Sequence, residues 1–189
     1  FFNWLVDEGE IRASPMARMK PPRIPEQPPE VLREDDLKKL LATCKGDTSF
    51  TGRRDYALLM VLIDTGIRRG EAAGLRYTPD DETTNDVALD DGMLRVLGKG
   101  RRERLVGIGA KTVQALDRYL RARTKHKDAH SEWLWLGRRG RLTDSGVLQV
   151  VQARGKQAGL DDLHPHQLRH SFAHAWLAGG GNESELMRL

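Results

Sequence analysis

This chain of 189 residues has a single cysteine, few aromatic residues and no long hydrophobic run. A lone Cys44 excludes a disulfide framework within the chain and is compatible with a reducing compartment. Its position on the apolar side of a predicted helix indicates a small core residue rather than a nucleophile. No apolar stretch approaches the length that crosses a bilayer. The opening FFNWLV is short and followed by acidic residues, so no signal peptide is predicted either.

The charge balance alone does not identify a partner. The net charge is only +4, with 39% hydrophobic and 31% charged residues, which describes a soluble globular domain with room for a core. The distribution is more informative, because basic residues cluster at 95–104, 118–127 and 138–141, whereas six acidic residues lie within 80–91. The basic clusters can line one surface, although an arginine-rich helix face is commonly just solvated.

The stretch 163–181, reading LHPHQLRHSFAHAWLAGGG, predicts the helix around which the rest is organised. Pro165 suits a first helical turn, and the three glycines from Gly179 end it. The predicted apolar face of this helix consists of Leu168, Phe172, Ala175 and Trp176. His166 and Arg169, three residues apart, project together from another face, with His170 beside them. Arginine offers a planar fork of donors that matches phosphate, and histidine can donate a hydrogen bond or pass a proton near neutrality. The pair predicts phosphate chemistry.

Two other interpretations of this helix remain open at this point. A charged helix face is often only solvated. Alternatively His166, His170 and His174, spaced four apart, can form a metal-binding stripe. The metal interpretation is disfavoured because the helix lacks the glutamate of a His-Glu-x-x-His motif and the cysteine is distant in sequence.

The N-terminal thirty residues predict the end of one domain and a linker. Residues 1–12 are typical of the last part of a helix whose apolar side has nothing local to pack against, which indicates further protein before it. Residues 14–30 hold six of the eight prolines and predict an extended connector. We therefore expect residues 1–30 to end an N-terminal domain and 31–189 to form a second one.

The second domain is predicted to be α+β and mainly helical, with a small three-stranded antiparallel sheet. Helices are predicted over 32–44, 53–64, 68–75, 111–123 and 143–158, and strands over 87–89, 93–97 and 104–108. The helix over 53–64 is almost wholly apolar from residue 57 to 63, which indicates a central core position.

Two turns carry further candidate site residues. TGIRRGEAAGL, residues 65–75, predicts a sharp helix–turn–helix corner bearing two arginines and Glu71. This corner is either an Arg–Glu structural pair or a charge held at the bottom of a cleft. Gly98-Lys99-Gly100 predicts a hairpin tip from which the lysine can reach a partner. It lacks the remaining glycine and the Ser/Thr of a P-loop, so nucleotide binding is not expected.

The three motifs together, TGIRRGE at 65–71, GKG at 98–100 and HQLRH at 166–170, resemble those of the tyrosine recombinases, the phage-integrase family. The resemblance extends from about residue 31 to the end of the chain. It implies the catalytic-domain fold of that family, preceded by the junction to a core-binding domain. It also implies site-specific DNA recombination or integration, by cleavage and religation of strands through a 3′-phosphotyrosyl intermediate.

The resemblance implies a role for each matching residue. Arg68 and Arg169 correspond to the two catalytic arginines, and His166 to the histidine of the box. Lys99 corresponds to the hairpin lysine that acts as general acid on the leaving 5′ oxygen. Independently, two guanidinium groups and an imidazole can stabilise the charge of a phosphoryl transition state without metal, nucleotide or other cofactor.

Other residues have supporting roles in this interpretation. Glu71 matches the acidic residue one turn after the first arginine, and His170 matches the last position of the box. The residues expected to contact DNA are Arg69, Arg101, Arg102 and Arg104. The expected partners are double-stranded DNA and further copies of the chain, assembled on DNA as a tetramer. No association with a membrane or a nucleotide is expected. We expect a cytoplasmic, nucleoid-associated protein of bacterial or phage origin.

The nucleophile departs from the family pattern. In the family, a Gly-His or Gly-Trp box and the attacking tyrosine follow the His-x-x-Arg-His helix. The tyrosines of this chain are Tyr56, Tyr77 and Tyr119, none in that place. We therefore expect a catalytic domain truncated before its nucleophile and inactive alone. The rival functions are a DNA-binding relative that does not cleave, a type IB topoisomerase and, less favoured, a metallohydrolase.

Overall fold

The computed structural model describes residues 1–20, 31–98, 100 and 102–186. Its helices are α1 Phe2–Asp7, α2 Glu34–Ala42, α3 Phe50–Thr65, α4 Arg69–Ala73, α5 Ala110–Arg123, α6 Asp144–Gln157, α7 Pro165–Ala178 and α8 Glu183–Leu186. Its strands are β1 Val87–Ala88, β2 Met93–Leu97, β3 Glu103–Gly107, β4 Leu136–Gly137 and β5 Gly140–Arg141. The prediction of a mainly helical α+β fold is confirmed.

Helix α3 is the centre of the core. It begins where the Ser49 hydroxyl accepts a hydrogen bond from the Gly52 N–H at 3.1 Å, a favourable N-cap. Residues 57–62 are buried on every side of the helix. Because a helix that is apolar all round must be covered all round, α3 packs against both α5 and α7. Helix α7, which carries the candidate residues His166 and Arg169, is therefore packed directly against the central core helix.

The predicted three-stranded sheet is present as an antiparallel meander in the order β1-β2-β3. Leu94 in the middle strand lies opposite Val87 on one side and Val106 on the other, and all three side chains are buried. This row crosses the sheet on its core face, as expected for side chains that alternate along a strand. The sheet places the β2–β3 hairpin next to α4.

The segment 133–136, predicted only as an apolar link, takes part in strand pairing. Leu136 begins β4, which pairs with β5, and Trp133 forms a bridge to Arg76. Tyr119 of α5 holds this segment, because its hydroxyl donates to the Leu134 carbonyl at 2.8 Å and accepts from the Leu136 N–H at 3.0 Å. Sequence periodicity missed these strands because each has only two residues, one of them a glycine, which strands disfavour.

The N-terminal segment agrees with the prediction in part. Helix α1 lies inside the predicted helical stretch, and none of its residues is buried. The predicted extended connector is wrong for residues 14–19, where the Ala17 N–H donates to the Ser14 carbonyl and the Met19 N–H to the Met16 carbonyl, both at 3.0 Å. Pro15 then occupies the second position of a turn, which its fixed φ favours. The remaining prolines of the connector lie within 21–30, outside the described residues. In the part of the chain that the structure describes, no helix is long and apolar enough to cross a membrane.

Candidate phosphate-binding site

The first part of the site is the corner between α3 and α4. Gly66 ends α3 in the left-handed conformation, with φ of 59°, and its N–H donates to the Leu62 carbonyl at 3.1 Å. A Cβ atom at Gly66 would lie 2.4 Å from Cδ1 of Phe172, so both the backbone and the available space require glycine. Ile67 then enters the core, and Arg68 caps α4. The corner thus fixes the point from which Arg68 projects.

Glu71, in the first turn of α4, gathers the donors around this corner. Its Oε2 accepts from the Arg68 backbone N–H at 2.8 Å, and its Oε1 accepts from Arg68 Nη1 at 3.1 Å. Arg104 of β3 donates from Nη1 to Oε1 at 3.1 Å and from Nη2 to Oε2 at 2.8 Å. Burial raises the pKa of Glu71, but the hydrogen bonds from Arg104 and Arg68 lower it more, and the net pKa lies below the ordinary value. Glu71 is therefore a buried carboxylate that stays ionised.

The second part of the site is the start of α7. His164 is the N-cap, and its backbone N–H donates to Gln167 Oε1 at 2.8 Å, while Pro165 occupies the first turn as predicted. Leu168 is buried against the core. Arg169 Nη1 donates to the Gly66 carbonyl. The second arginine of the motif is therefore tied to the corner that presents the first.

The predicted apolar face of α7 is wrong in its later turns. Leu168 is buried, but Phe172 and Trp176 are only half-buried and Ala175 is exposed. Phe172 lies over Gly66, where α3 ends, so the turns beyond it extend past the core helix. There the Trp176 Nε1 donates to the Asn182 carbonyl at 3.2 Å.

One cavity of about 350 Å³ joins the two parts. Arg68, His166 and Arg169 all line it, together with Arg69 and Asp144. The pKa of Arg169 is lowered by burial first and then by the positive charge of Arg68; the negative charge of Glu71 partly offsets this, and Arg104 adds a smaller lowering. Cations held close together at a half-buried site gain from an entering anion. The cavity is suited to a phosphate group.

The other residues predicted to act on DNA are placed differently. Arg69 donates from Nε to Asp144 Oδ1 at 2.6 Å, and both residues line the cavity. Arg104 has its terminal nitrogens on Glu71, and its buried Nε has no acceptor among the described residues. Arg102 is exposed beside the hairpin. Lys99 and Arg101 lie outside the described residues. Contact of Arg69, Arg102 and Arg104 with DNA stays a prediction.

None of the three tyrosines lines this cavity. Tyr119 is fully buried, and burial raises its pKa to about 12, partly offset by the hydrogen bond from Leu136. Tyr77 lies under the guanidinium of Arg123, whose Cζ is 5.3 Å from the ring centroid. Tyr56 lines a separate cavity of about 860 Å³ between α2, α3 and α5. The described geometry therefore offers no tyrosine among the residues that line this cavity.

The histidine stripe does not form a ligand set with carboxylates or cysteine. Among the described residues, no group of three His, Cys, Asp or Glu side chains is placed to hold a metal ion. The rings of His166 and His170 lie with their centroids 6.0 Å apart. That the site works without metal or cofactor stays a prediction.

Sequence reasoning missed Asp144 and Leu148 of α6 and His164, which also line the cavity. The only available signal was the acidic residue directly after the N-cap Thr143, and it is explained equally well by favourable charge at a helix N-terminus. Nothing in the sequence indicated that Arg104 pairs with Glu71, because the two residues belong to different elements that are distant in the chain.

Comparison with known proteins gives a consistent result. The family model described as the phage integrase family matches residues 30–189. The tyrosine recombinase XerC of Xanthomonas axonopodis pv. citri is 34% identical over 184 residues, covering 96% of this chain and 56% of the relative. The chain therefore spans little more than half the length of that relative.

Two solved structures share the fold. The XerA recombinase superposes with a TM-score of 0.71 at 30% identity, covering 85% of this chain and 55% of that one. The XerH site-specific recombinase bound to its palindromic difH substrate, in a post-cleavage complex, gives a TM-score of 0.62 at 25% identity. That match covers 78% of this chain and 42% of XerH.

Proposed function

Because this chain belongs to the phage integrase family, we propose that it forms the phosphate-activating part of a tyrosine recombinase. The reaction is site-specific cleavage and religation of DNA through a 3′-phosphotyrosyl intermediate. The observation that carries the proposal is the convergence of Arg68, His166 and Arg169 on one cavity of about 350 Å³.

The chemistry follows from charge. When an oxygen attacks a phosphodiester, negative charge develops on the non-bridging oxygens and on the leaving 5′ oxygen. Arg68 is oriented by its hydrogen bond to Glu71 and Arg169 by its hydrogen bond to the Gly66 carbonyl, so both are positioned to donate to the non-bridging oxygens. His166, at the cavity wall, can add a third donor or pass a proton. Removing one such donor typically costs about 3 kcal/mol of barrier.

The remaining roles come from the motifs. Lys99 is proposed as the general acid that protonates the leaving 5′ oxygen, and His170 as support for His166. The attacking tyrosine is not among Tyr56, Tyr77 and Tyr119, because none of them lines the cavity. Residues 1–30 are proposed as the end of a core-binding domain with its linker, and 31–189 as catalytic domain.

The proposed partner is double-stranded DNA, with further copies of the chain assembled on it. A DNA-binding relative that does not cleave is the second candidate, since the chain offers no tyrosine at the cavity. A type IB topoisomerase shares the chemistry, but the family match favours recombination.

DNA binding is tested by salt titration of the chain on a short duplex. Each phosphate contact contributes about −0.9 to the slope of log affinity against log salt. Arg68→Ala and Arg169→Ala should each reduce the slope by about that amount. The matched control is Arg121→Ala, an exposed arginine that lines the other cavity, which removes the same charge and should leave the slope unchanged. Equal slopes for all three variants would contradict the proposed site.

Cleavage is tested on the complete gene product that contains this chain, with a nicked duplex that traps the intermediate. A DNA-linked species resistant to SDS supports the recombinase, and its formation should slow by a factor of about 10² to 10³ in Arg169→Ala. DNA binding without such a species would favour the non-cleaving relative. Relaxation of supercoiled DNA without joining of two sites would favour the topoisomerase.

A further inference from the structure

Arg104 forms a forked ion pair inside the protein. It extends from β3, its side chain is only 18% exposed, and its two terminal nitrogens donate one to each oxygen of Glu71, at 3.1 and 2.8 Å. A planar guanidinium on both oxygens of a carboxylate is the strongest geometry that an ion pair adopts in proteins. Glu71 is thereby matched by a full positive charge that does not belong to the cavity.

The same carboxylate also contacts Arg68. Glu71 accepts from the backbone N–H and from one terminal nitrogen of Arg68, but its side chain is 7% exposed whereas that of Arg68 is 56% exposed. The Arg68 side chain thus donates to Glu71 from one terminal nitrogen and also lines the cavity. One buried carboxylate lies between two guanidinium groups, and the fork belongs to Arg104.

We propose that Arg104 is a positioning residue. It binds Glu71 and balances its negative charge, so that the positive charge of Arg68 and its remaining hydrogen-bond donors stay available to a DNA phosphate. The inference rests on the proposed function, because it assigns to Arg104 an effect on the phosphate contact of Arg68. It replaces a direct DNA contact of Arg104 with an indirect one.

The physical argument is the cost of an uncompensated buried carboxylate. Without Arg104, Arg68 is the only side chain with a described hydrogen bond to Glu71. A buried charge that loses its partner draws in another or becomes protonated. Since Arg68 is largely exposed and already one bond away, it would turn inward and form the fork itself. The cavity would then lose one phosphate donor and one net positive charge.

The hairpin backbone covers this pair. A Cβ atom at Gly98 would lie 3.1 Å from Arg104 Nη1 and 3.7 Å from Glu71 Oε1. The Gly98 N–H donates to the Arg102 carbonyl at 2.8 Å, which closes the strand ends over the ion pair. Glycine at this position lets the hairpin backbone approach the fork closely, and the low exposure of both side chains strengthens the pairing of Arg104 with Glu71.

The test is a double-variant cycle read out as the salt slope of DNA binding, using the chain and a short duplex. Arg104→Ala should lower the slope by about 0.9, the loss of one phosphate contact. Arg104→Ala combined with Glu71→Gln should restore it, because a neutral amide no longer competes for Arg68. Arg104→Gln, which keeps a hydrogen-bond donor without the charge, should behave as Arg104→Ala and serves if the alanine variant does not fold.

The outcomes separate the inference from the proposed function. If the slope falls in Arg104→Ala and is not restored by adding Glu71→Gln, Arg104 itself contacts phosphate. If the slope is unchanged in Arg104→Ala, Arg104 has no part in binding. Either result overturns the inference. If Arg68→Ala leaves the slope unchanged, the proposed phosphate site itself is wrong. A loss in Arg68→Ala with none in Arg104→Ala or Arg104→Gln refutes the inference alone.

Discussion

Replacing Gly66 by alanine should be among the most damaging single-methyl changes in this chain. The left-handed backbone at Gly66 costs an L-residue about 1–2 kcal/mol. The new Cβ would also lie 2.4 Å from the ring of Phe172, an overlap that adds about 1–3 kcal/mol of overpacking. Rotation of that ring toward solvent would relieve the overlap but give up its burial. We expect the free energy of unfolding to fall by about 2–5 kcal/mol.

The control is Gly46→Ala, in the turn after α2. Gly46 has a φ of 82°, and a Cβ atom there would meet no heavy atom within 4 Å. It therefore measures the backbone cost alone. Urea unfolding followed by far-UV circular dichroism gives both free energies, with an unchanged m-value as the check that the comparison is valid. Equal losses in the two variants would refute the argument that Phe172 packs against the corner.

Three further predictions concern the site and its support. The chain itself should form no covalent adduct with a nicked duplex, since attack needs an oxygen about 3 Å from phosphorus and no tyrosine lines the cavity; an SDS-resistant adduct would show that the site is misassigned. Because the pKa of Glu71 is lowered in the folded state, its ionised form stabilises the protein at pH values above the ordinary glutamate pKa. This part of the stability is lost as the pH falls through the pKa of the folded state. Glu71→Gln should therefore flatten the acid limb of a curve of unfolding free energy against pH, and an unchanged limb would contradict the prediction. Tyr119→Phe leaves the Leu136 N–H without its acceptor and the Leu134 carbonyl with only the Arg123 Nε donor at 3.2 Å, so thermal unfolding should show a loss of about 1–3 kcal/mol; Tyr56→Phe, at a residue that lines a cavity, should change little.

Local features of the fold were predictable from the sequence. The start of α7 at Pro165 and the break at Gly66 are set by residues whose backbone preferences act within one turn. The position of His166 and Arg169 on one side of α7 follows from a spacing of three residues. These are the features that periodicity and turn chemistry encode.

Pairings between distant elements were not predictable. Arg69 and Asp144 are 75 residues apart, and Arg104 and Glu71 are 33 apart. Nothing local to an arginine says which carboxylate it will meet, so Arg69 and Arg104 were both predicted as DNA contacts. The later turns of α7 failed for a related reason, because an apolar face in a sequence does not reveal where the element that covers it ends.

The Ser171 hydroxyl has a practical consequence for choosing domain boundaries. It is buried in α7, donates to the Gln167 carbonyl at 2.8 Å and accepts from the Leu32 N–H at 2.9 Å. Although α2 begins at Glu34, the backbone two residues earlier is already hydrogen-bonded to the helix that bears His166 and Arg169. A shortened chain should therefore start before Leu32. A fusion partner attached at Leu32 itself would disturb the hydrogen bond between Leu32 and α7.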